Sequence, residues 1–149
     1  MKQTAKSSGR VMAFGTFDLV HLGHLAYLQQ AKKLGKELVV VVTHDNWVKR
    51  EKGHLPLFSG RERLRLVRAL KPVDRAVLGS PGDKLAVVRK EHPAVLCLGY
   101  DQRKGIRAIR AQLVGAGLFP RIVRATPYAP HVYKGHAVRK KIHHSYRNH

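Results

Sequence analysis

The sequence predicts an α/β protein: a doubly wound parallel sheet of five strands with helices on both faces. Three observations carry this. Five short apolar runs recur along the 149 residues. Between them lie stretches with apolar residues at three- and four-residue steps, the spacing of an amphipathic helix. One run, Glu37-Leu38-Val39-Val40-Val41-Val42-Thr43, does not alternate apolar with polar residues. That is the pattern of a parallel strand covered on both faces. Strands alternating with helices, joined by right-handed crossovers, give a parallel sheet.

The elements follow in order. Arg10-Val11-Met12-Ala13-Phe14, closed by Gly15, reads as the first strand. Residues 22–34 carry Leu22, Leu25, Leu28, Ala31 and Leu34, a helix stopped at Gly35. The valine-rich run is the second strand, so a βαβ unit fills about 35 residues. A loop is expected from His44 to Phe58. Ser59 and Glu62 form a capping box for a helix over 61–70. Its apolar face is Leu64, Val67 and Leu70, and Arg61, Arg65 and Arg68 form a stripe elsewhere. Arg75-Ala76-Val77-Leu78 is the third strand. Ser80-Pro81-Gly82-Asp83 opens a helix to about Glu91, with proline in its first turn. Ala94-Val95-Leu96-Cys97-Leu98 is the fourth strand, closed by Gly99. A helix over 103–114 turns Ile106, Ile109 and Leu113 inward. Arg121-Ile122-Val123-Arg124 is the fifth strand. A proline-punctuated loop, Thr126 to Gly135, leads into a basic tail with room for a short last helix. The expected division is a polar segment over 1–9, a single domain over 10–142 and a basic tail over 143–149.

Charge is lopsided. There are 29 Lys and Arg against 9 Asp and Glu, a net +20. Residues 1–101 hold 18 basic and all 9 acidic side chains; residues 102–149 hold 11 basic and none acidic. Such a field concentrates anions: nucleotides, phosphorylated metabolites or nucleic acid. It serves solubility equally well. The polar start lacks the apolar stretch of a signal peptide, and no run reaches the ~18 residues of a membrane helix. A cytoplasmic protein that binds no membrane is expected. A single cysteine, Cys97, excludes an internal disulfide framework.

In open parallel sheets, ligands bind beyond the carboxyl ends of the strands. After the first strand comes Gly15-Thr16-Phe17-Asp18-Leu19-Val20-His21-Leu22-Gly23-His24. The helix start there offers unpaired N–H groups and partial positive charge, which suit phosphate. His21 and His24, three apart, lie on one face and can donate hydrogen bonds to phosphate oxygens. Gly23 leaves space for a nucleotide to approach the backbone. The spacing fits neither a Walker loop nor a dinucleotide fingerprint. Two histidines without a third ligand do not make a protein metal site.

GTFDLVHLGH resembles the G-T-F-D-x-x-H-x-G-H motif of the cytidylyltransferase-like nucleotidyltransferases. Leu98-Gly99-Tyr100-Asp101-Gln102 is similar to the L-G-Y-D-Q string of their archaeal FAD synthase branch. Val48-Lys49-Arg50-Glu51-Lys52-Gly53 resembles that branch's lysine-bearing loop, and the stretch from Arg63 to Asp74 also fits. The likeness spans about residues 10–126. It implies a Rossmann-like fold and transfer of AMP from ATP to the phosphate of FMN, with Mg²⁺ accompanying the triphosphate and pyrophosphate leaving.

The same resemblance implies catalytic roles for His21, His24 and Lys52. Nucleotide contacts are implied for Gly15, Thr16, Phe17, Asp18, Gly23, Lys49, Gly99, Tyr100, Asp101, Arg124 and Thr126. Local readings stand beside these. Lys49 and Lys52 also suit a solvated loop. Asp18 either orients a substrate group or caps its turn. Asp101 either binds ribose or base or caps the following helix.

Two departures stand out. The family's Ser/Thr-rich loop before the last helix is matched by Tyr133-Lys134-Gly135-His136-Ala137-Val138-Arg139, without serine or threonine. Lys134, His136 and Arg139 are the donors available there instead. The cysteines of some relatives' C-terminal part are absent. A CTP:glycerol-3-phosphate cytidylyltransferase-like enzyme shares the first motif and is the nearest alternative. A basic nucleic-acid-binding protein with a degenerate site is the alternative of another class, but clustered aromatics for stacking RNA bases are missing. Nucleic acid is therefore expected to bind only non-specifically. The expected partners are ATP and FMN or another phosphorylated small molecule, and a homodimer is compatible with them.

Overall fold

The computed structural model describes residues 9–100, 102 and 106–147. Five strands form one sheet: β1 (Arg10–Gly15), β2 (Glu37–Val42), β3 (Arg75–Leu78), β4 (Val95–Leu98) and β5 (Arg121–Arg124). Their order across the sheet is β3-β2-β1-β4-β5, and every neighbouring pair is parallel. The chain winds outward from β1 through β2 to β3, then crosses back to β4 and β5. The switch point therefore lies between β1 and β4, where a crevice opens at the strands' carboxyl ends.

Both faces of the sheet are covered. Val11, Ala13, Val40 and Val42 point to one face with Leu28 and Ala31 of α1 (Leu22–Lys32) and Val67 of α3 (Gly60–Arg68). Met12, Val39, Val41 and Leu96 point to the other, against Val88 of α4 (Ala86–Glu91) and Leu113 of α5 (Ile106–Gly115). Each buried Val, Leu or Met side chain among them contributes about 1.5–3 kcal/mol. The run from Leu38 to Val42 is buried throughout, which is why it does not alternate.

Three elements differ from the sequence expectation. The expected loop after β2 contains an eight-residue helix, α2 (Asp45–Lys52). His44 caps it by accepting the Asn46 N–H at 3.1 Å, and Gly53 ends it at φ 78°. Only Val48 is buried in α2, so no apolar period marks it. The helix expected from Ser80 begins at Ala86, because Asp83 first accepts the Leu85 N–H at 2.9 Å and makes a local turn. At the C-terminal end, α6 (Gly135–Arg147) runs thirteen residues with none buried.

At the amino ends of the strands, Arg10, Glu37, Arg75 and Glu91 form one ion-pair network. Lys32 pairs with Asp74, which also accepts the Leu38 N–H at 2.7 Å. Opposite charges thus fasten the pole away from the crevice.

Candidate active site

His21 and His24 open α1, and each caps its start. His21 is the N-cap, and its Nδ1 accepts the Gly23 N–H at 3.1 Å. His24 Nδ1 accepts the His21 N–H at 3.3 Å. The pair is a capping box built from imidazoles, which satisfies two orphan N–H groups of the helix start. An Nδ1 that accepts carries no proton, so the proton of each neutral ring sits on Nε2. His21 Nε2 is buried and has no hydrogen-bond partner among the described residues. Burial lowers the His21 pKa. Burial, then the charges of His21 and Lys52, push His24 down to about 4. Both rings are therefore neutral at pH 7, with the proton on Nε2.

The turn before α1 is strained and pinned. Phe17 has φ 52°, a left-handed conformation unusual for a bulky residue, and its ring is buried. Gly15 makes room for that ring: a Cβ there would lie 2.7 Å from Phe17 Cε2. Phe17 in turn packs on His24, ring centroids 5.2 Å apart. Asp18 is 7% exposed. Its Oδ2 accepts the Leu57 N–H at 2.8 Å, and its Oδ1 accepts the Phe58 N–H at 3.0 Å. Arg139 of α6 pairs with Asp18 Oδ2 at 3.4 Å. Thr16 turns its carbonyl inward, where it accepts from Arg63 at 2.8 Å.

Arg63 is the hub beneath this turn. It is 1% exposed. It donates to the carbonyls of Phe58 (2.9 Å), Thr16 (2.8 Å) and Thr43 (2.9 Å), and pairs with Asp45 at the start of α2. A buried guanidinium needs such a full set of acceptors. One side chain thus ties the ends of β1 and β2 to both feet of the segment that carries α2. Arg63 shares a helix face with Gly60 and Val67, both buried.

Of the two lysines, Lys52 at the end of α2 is the one whose charge helps to lower the His24 pKa. Lys49 is exposed, one turn earlier on α2. Trp47, the single tryptophan, is flanked by the cations of Arg50 and Lys84, 4.8 Å and 4.9 Å from its ring. Its Nε1–H donates to the Ser80 carbonyl at 2.9 Å.

Across the switch point, Gly99 follows β4 and its N–H donates to Gln102 Oε1 at 2.8 Å. Gln102 reaches over to the Phe14 carbonyl at 3.3 Å, so it bridges the ends of β4 and β1. Arg124, at the end of β5, donates to the Tyr100 carbonyl at 3.5 Å. Thr126 is held by Gln30 of α1: its N–H and hydroxyl donate to Oε1 at 2.9 and 3.1 Å. Asp101 lies outside the described residues.

The space beside Gly23, expected to admit a nucleotide, holds the segment before α6. A Cβ on Gly23 would lie 2.7 Å from the Tyr133 carbonyl oxygen. Rings form a continuous row there. His24 stacks on His21 at 3.9 Å, His21 on Tyr133 at 5.9 Å, and Tyr133 on Tyr128 at 5.9 Å. Sequence reasoning gave no role to Gln30, Gln102 or Tyr133. Gln30 and Tyr133 act on partners far away in the chain and nothing local marks them, while Gln102 closes the L-G-Y-D-Q string onto Gly99 and reaches Phe14 besides.

Comparison with known proteins agrees with this geometry. The cytidylyltransferase-like family model matches residues 12–140. A Thermoplasma acidophilum protein named FAD synthase is 46% identical over 133 residues, 89% of this chain and 93% of that one. Its counterpart from Methanocella paludicola is 42% identical over 89% of this chain and 95% of its own. A crystal structure from Thermoplasma volcanium, described as a lipopolysaccharide core biosynthesis protein, superposes with a TM-score of 0.74 at 44% identity. It is covered over 97% of its length, against 80% of this chain. Pantoate-beta-alanine ligase from Francisella tularensis shares the fold alone, at TM-score 0.59 and 11% identity over 83% of this chain and 64% of its own. With a parallel sheet in the order β3-β2-β1-β4-β5 and an imidazole-capped helix after β1, this chain belongs to the cytidylyltransferase-like family.

Proposed function

We propose that the chain is an FMN adenylyltransferase, an FAD synthase, that transfers AMP from MgATP to FMN. The observation that carries the reaction class is the pair of neutral Nε2–H donors at the start of α1. The FAD synthases among its relatives support the substrates. An oxygen of the FMN phosphate attacks the α-phosphorus of ATP in line. The new P–O bond forms as the bond to the β-phosphate bridging oxygen breaks, and that electron pair leaves with pyrophosphate. The attacking oxygen is already anionic, so no general base is required. What the protein supplies is orientation and stabilisation of the charge that spreads over the phosphate oxygens.

His21 and His24 donate to those oxygens. Lys52 adds a positive charge, and the turn Gly15–Asp18 and the ends of β4 and β5 border the nucleotide. Mg²⁺ enters with ATP. The Nδ1 atoms of both histidines accept backbone N–H groups, and both Asp18 oxygens do so too. No group of three metal-ligating side chains occurs among the described residues, so Mg²⁺ bound with ATP would be held mainly by phosphate oxygens and water and would neutralise triphosphate charge.

Further parts of the proposal rest on the chain's make-up. No helix among the described residues is long and apolar enough to cross a membrane, and a cytoplasmic enzyme acting on soluble substrates is in keeping with that. Residues 10–142 act as one nucleotidyltransferase domain, as a single sheet with helices on both faces supports. The excess charge draws anionic substrates and holds nucleic acid only non-specifically. The test is direct. Purified protein with MgATP and FMN yields FAD and pyrophosphate, and CTP with glycerol 3-phosphate reacts poorly. A clearly faster cytidylyl transfer would overturn the substrates and leave the site in place.

A further inference from the structure

We propose that Asp18 is a positioning residue: it holds in place the arm over residues 45–58, which carries Lys52. The proposal rests on the reading of Lys52 as a phosphate-binding cation.

The arm leaves β2, forms α2, turns at Gly53 and returns to Ser59. Its return half is not held by apolar packing. Leu55, Leu57 and Phe58 are 57%, 67% and 46% exposed. Polar bonds hold it instead. The Leu57 and Phe58 N–H groups donate to the two Asp18 oxygens at 2.8 and 3.0 Å. Arg63 takes the Phe58 carbonyl from beneath at 2.9 Å and pairs with Asp45 at the arm's other foot. Between these feet, the arm carries Lys52.

Asp18 can hold the arm because it is itself fixed. It follows Phe17, whose buried ring packs on His24. The carboxylate thus stands on the same rigid turn as the catalytic pair. Its two oxygens accept one backbone N–H each, a task an amide cannot match, since only its carbonyl oxygen accepts. The guanidinium of Arg139 touches the same carboxylate from α6 at 3.4 Å. Both of its oxygens are therefore engaged by protein groups.

A double-mutant cycle tests this. Lys52→Gln, Asp18→Asn and the double variant are compared in turnover and in calorimetric binding of MgATP. Loss of a charge-assisted contact lowers kcat about 10-fold or more in each single variant. If Asp18 acts through Lys52, the double variant is no worse than Lys52→Gln, within about threefold. Independent effects that multiply, to roughly 100-fold, would overturn the proposal. Leu57→Pro removes one donor from the arm while sparing Asp18, and its own cycle with Lys52→Gln covers the case in which Asp18→Asn does not fold. Trp47 on α2 adds a readout independent of catalysis: its emission shifts in Asp18→Asn when the arm loosens, and an unchanged spectrum counts against the proposal. If wild-type protein binds MgATP yet makes no FAD, the substrate reading fails and the binding cycle still decides the role of Asp18.

Discussion

His21 and His24 stack with ring centroids 3.9 Å apart, and each Nδ1 accepts a backbone N–H of the helix start that they share. Helix capping thus uses the Nδ1 edge of each ring and leaves the Nε2 edge for the phosphate contact proposed above. The cap sets the tautomer, and the tautomer makes the donor.

His24→Ala is expected to lower kcat by roughly 10²–10³ while KM for ATP changes little, because an oriented donor acts mainly on the developing charge. The lost cap bond costs about 1 kcal/mol of stability, too little to unfold the chain. Steady-state kinetics and a melting curve check both parts. A folded variant within threefold of wild-type kcat would remove His24 from the mechanism.

The lowered His24 pKa has a signed consequence. Its ordinary value is 6.5, and in the folded protein it is about 4. As pH falls below 6.5, the unfolded chain takes up a proton that the folded chain refuses. Stability therefore declines from pH 6.5 to about 4 and this contribution is level below that. The slope is at most about 1.4 kcal/mol per pH unit. His24→Asn cannot titrate, so denaturant midpoints measured between pH 6.5 and 5 change less in the variant. An equal slope would show that His24 is not buried neutral.

Glu91 joins Arg10 and Arg75 at the pole opposite the crevice. The Arg75 hydrogen bond lowers the Glu91 pKa, and the Arg10 hydrogen bond lowers that of Glu37. Their contribution is complete above the ordinary carboxylate value of 4.5 and is lost as pH falls through the lowered folded values. Both arginines are partly exposed, so Glu91→Gln is expected to cost roughly 1–2 kcal/mol, below the range for a fully buried pair. In a chain of this size that lowers Tm by roughly 2–8 °C. Activity at 25 °C is unaffected.

Gly23→Ala tests the seat of the segment before α6. Its Cβ would meet the Tyr133 carbonyl, a backbone atom that cannot swing aside. Overpacking of this kind costs about 1–3 kcal/mol. The variant is expected to fold, with the stacking of Tyr133 on His21 disturbed and kcat/KM for ATP reduced at least about tenfold. Wild-type kinetics would mean that the segment moves without consequence.

Basic α6 and the acid-free last third of the chain attract any polyanion. Binding to an RNA duplex should lose about 10³-fold or more in affinity between 50 and 200 mM salt, if six phosphates are neutralised. Filter binding over a salt series measures the slope. Sequence-selective RNA binding that persists at 200 mM salt would favour a nucleic-acid-binding role.

The sequence by itself determined the five strands, the helices between them and the motif that opens α1. These are local matters. A valine run buried on both faces, a Ser59–Glu62 box and two histidines three apart are each written within a few residues. The same locality hid α2, whose single buried residue leaves no period. Only the tertiary structure decided how the site is held. Asp18 meets Leu57 and Phe58 about forty positions on, and Arg139 another eighty beyond them. Arg63 looks like one more charge on a helix rich in arginine until the fold buries it among carbonyls. Tyr133 reaches His21 because Gly23 has no side chain. Hydrogen bonds between distant segments leave no period in the sequence, because their partners are set by the path of the whole chain.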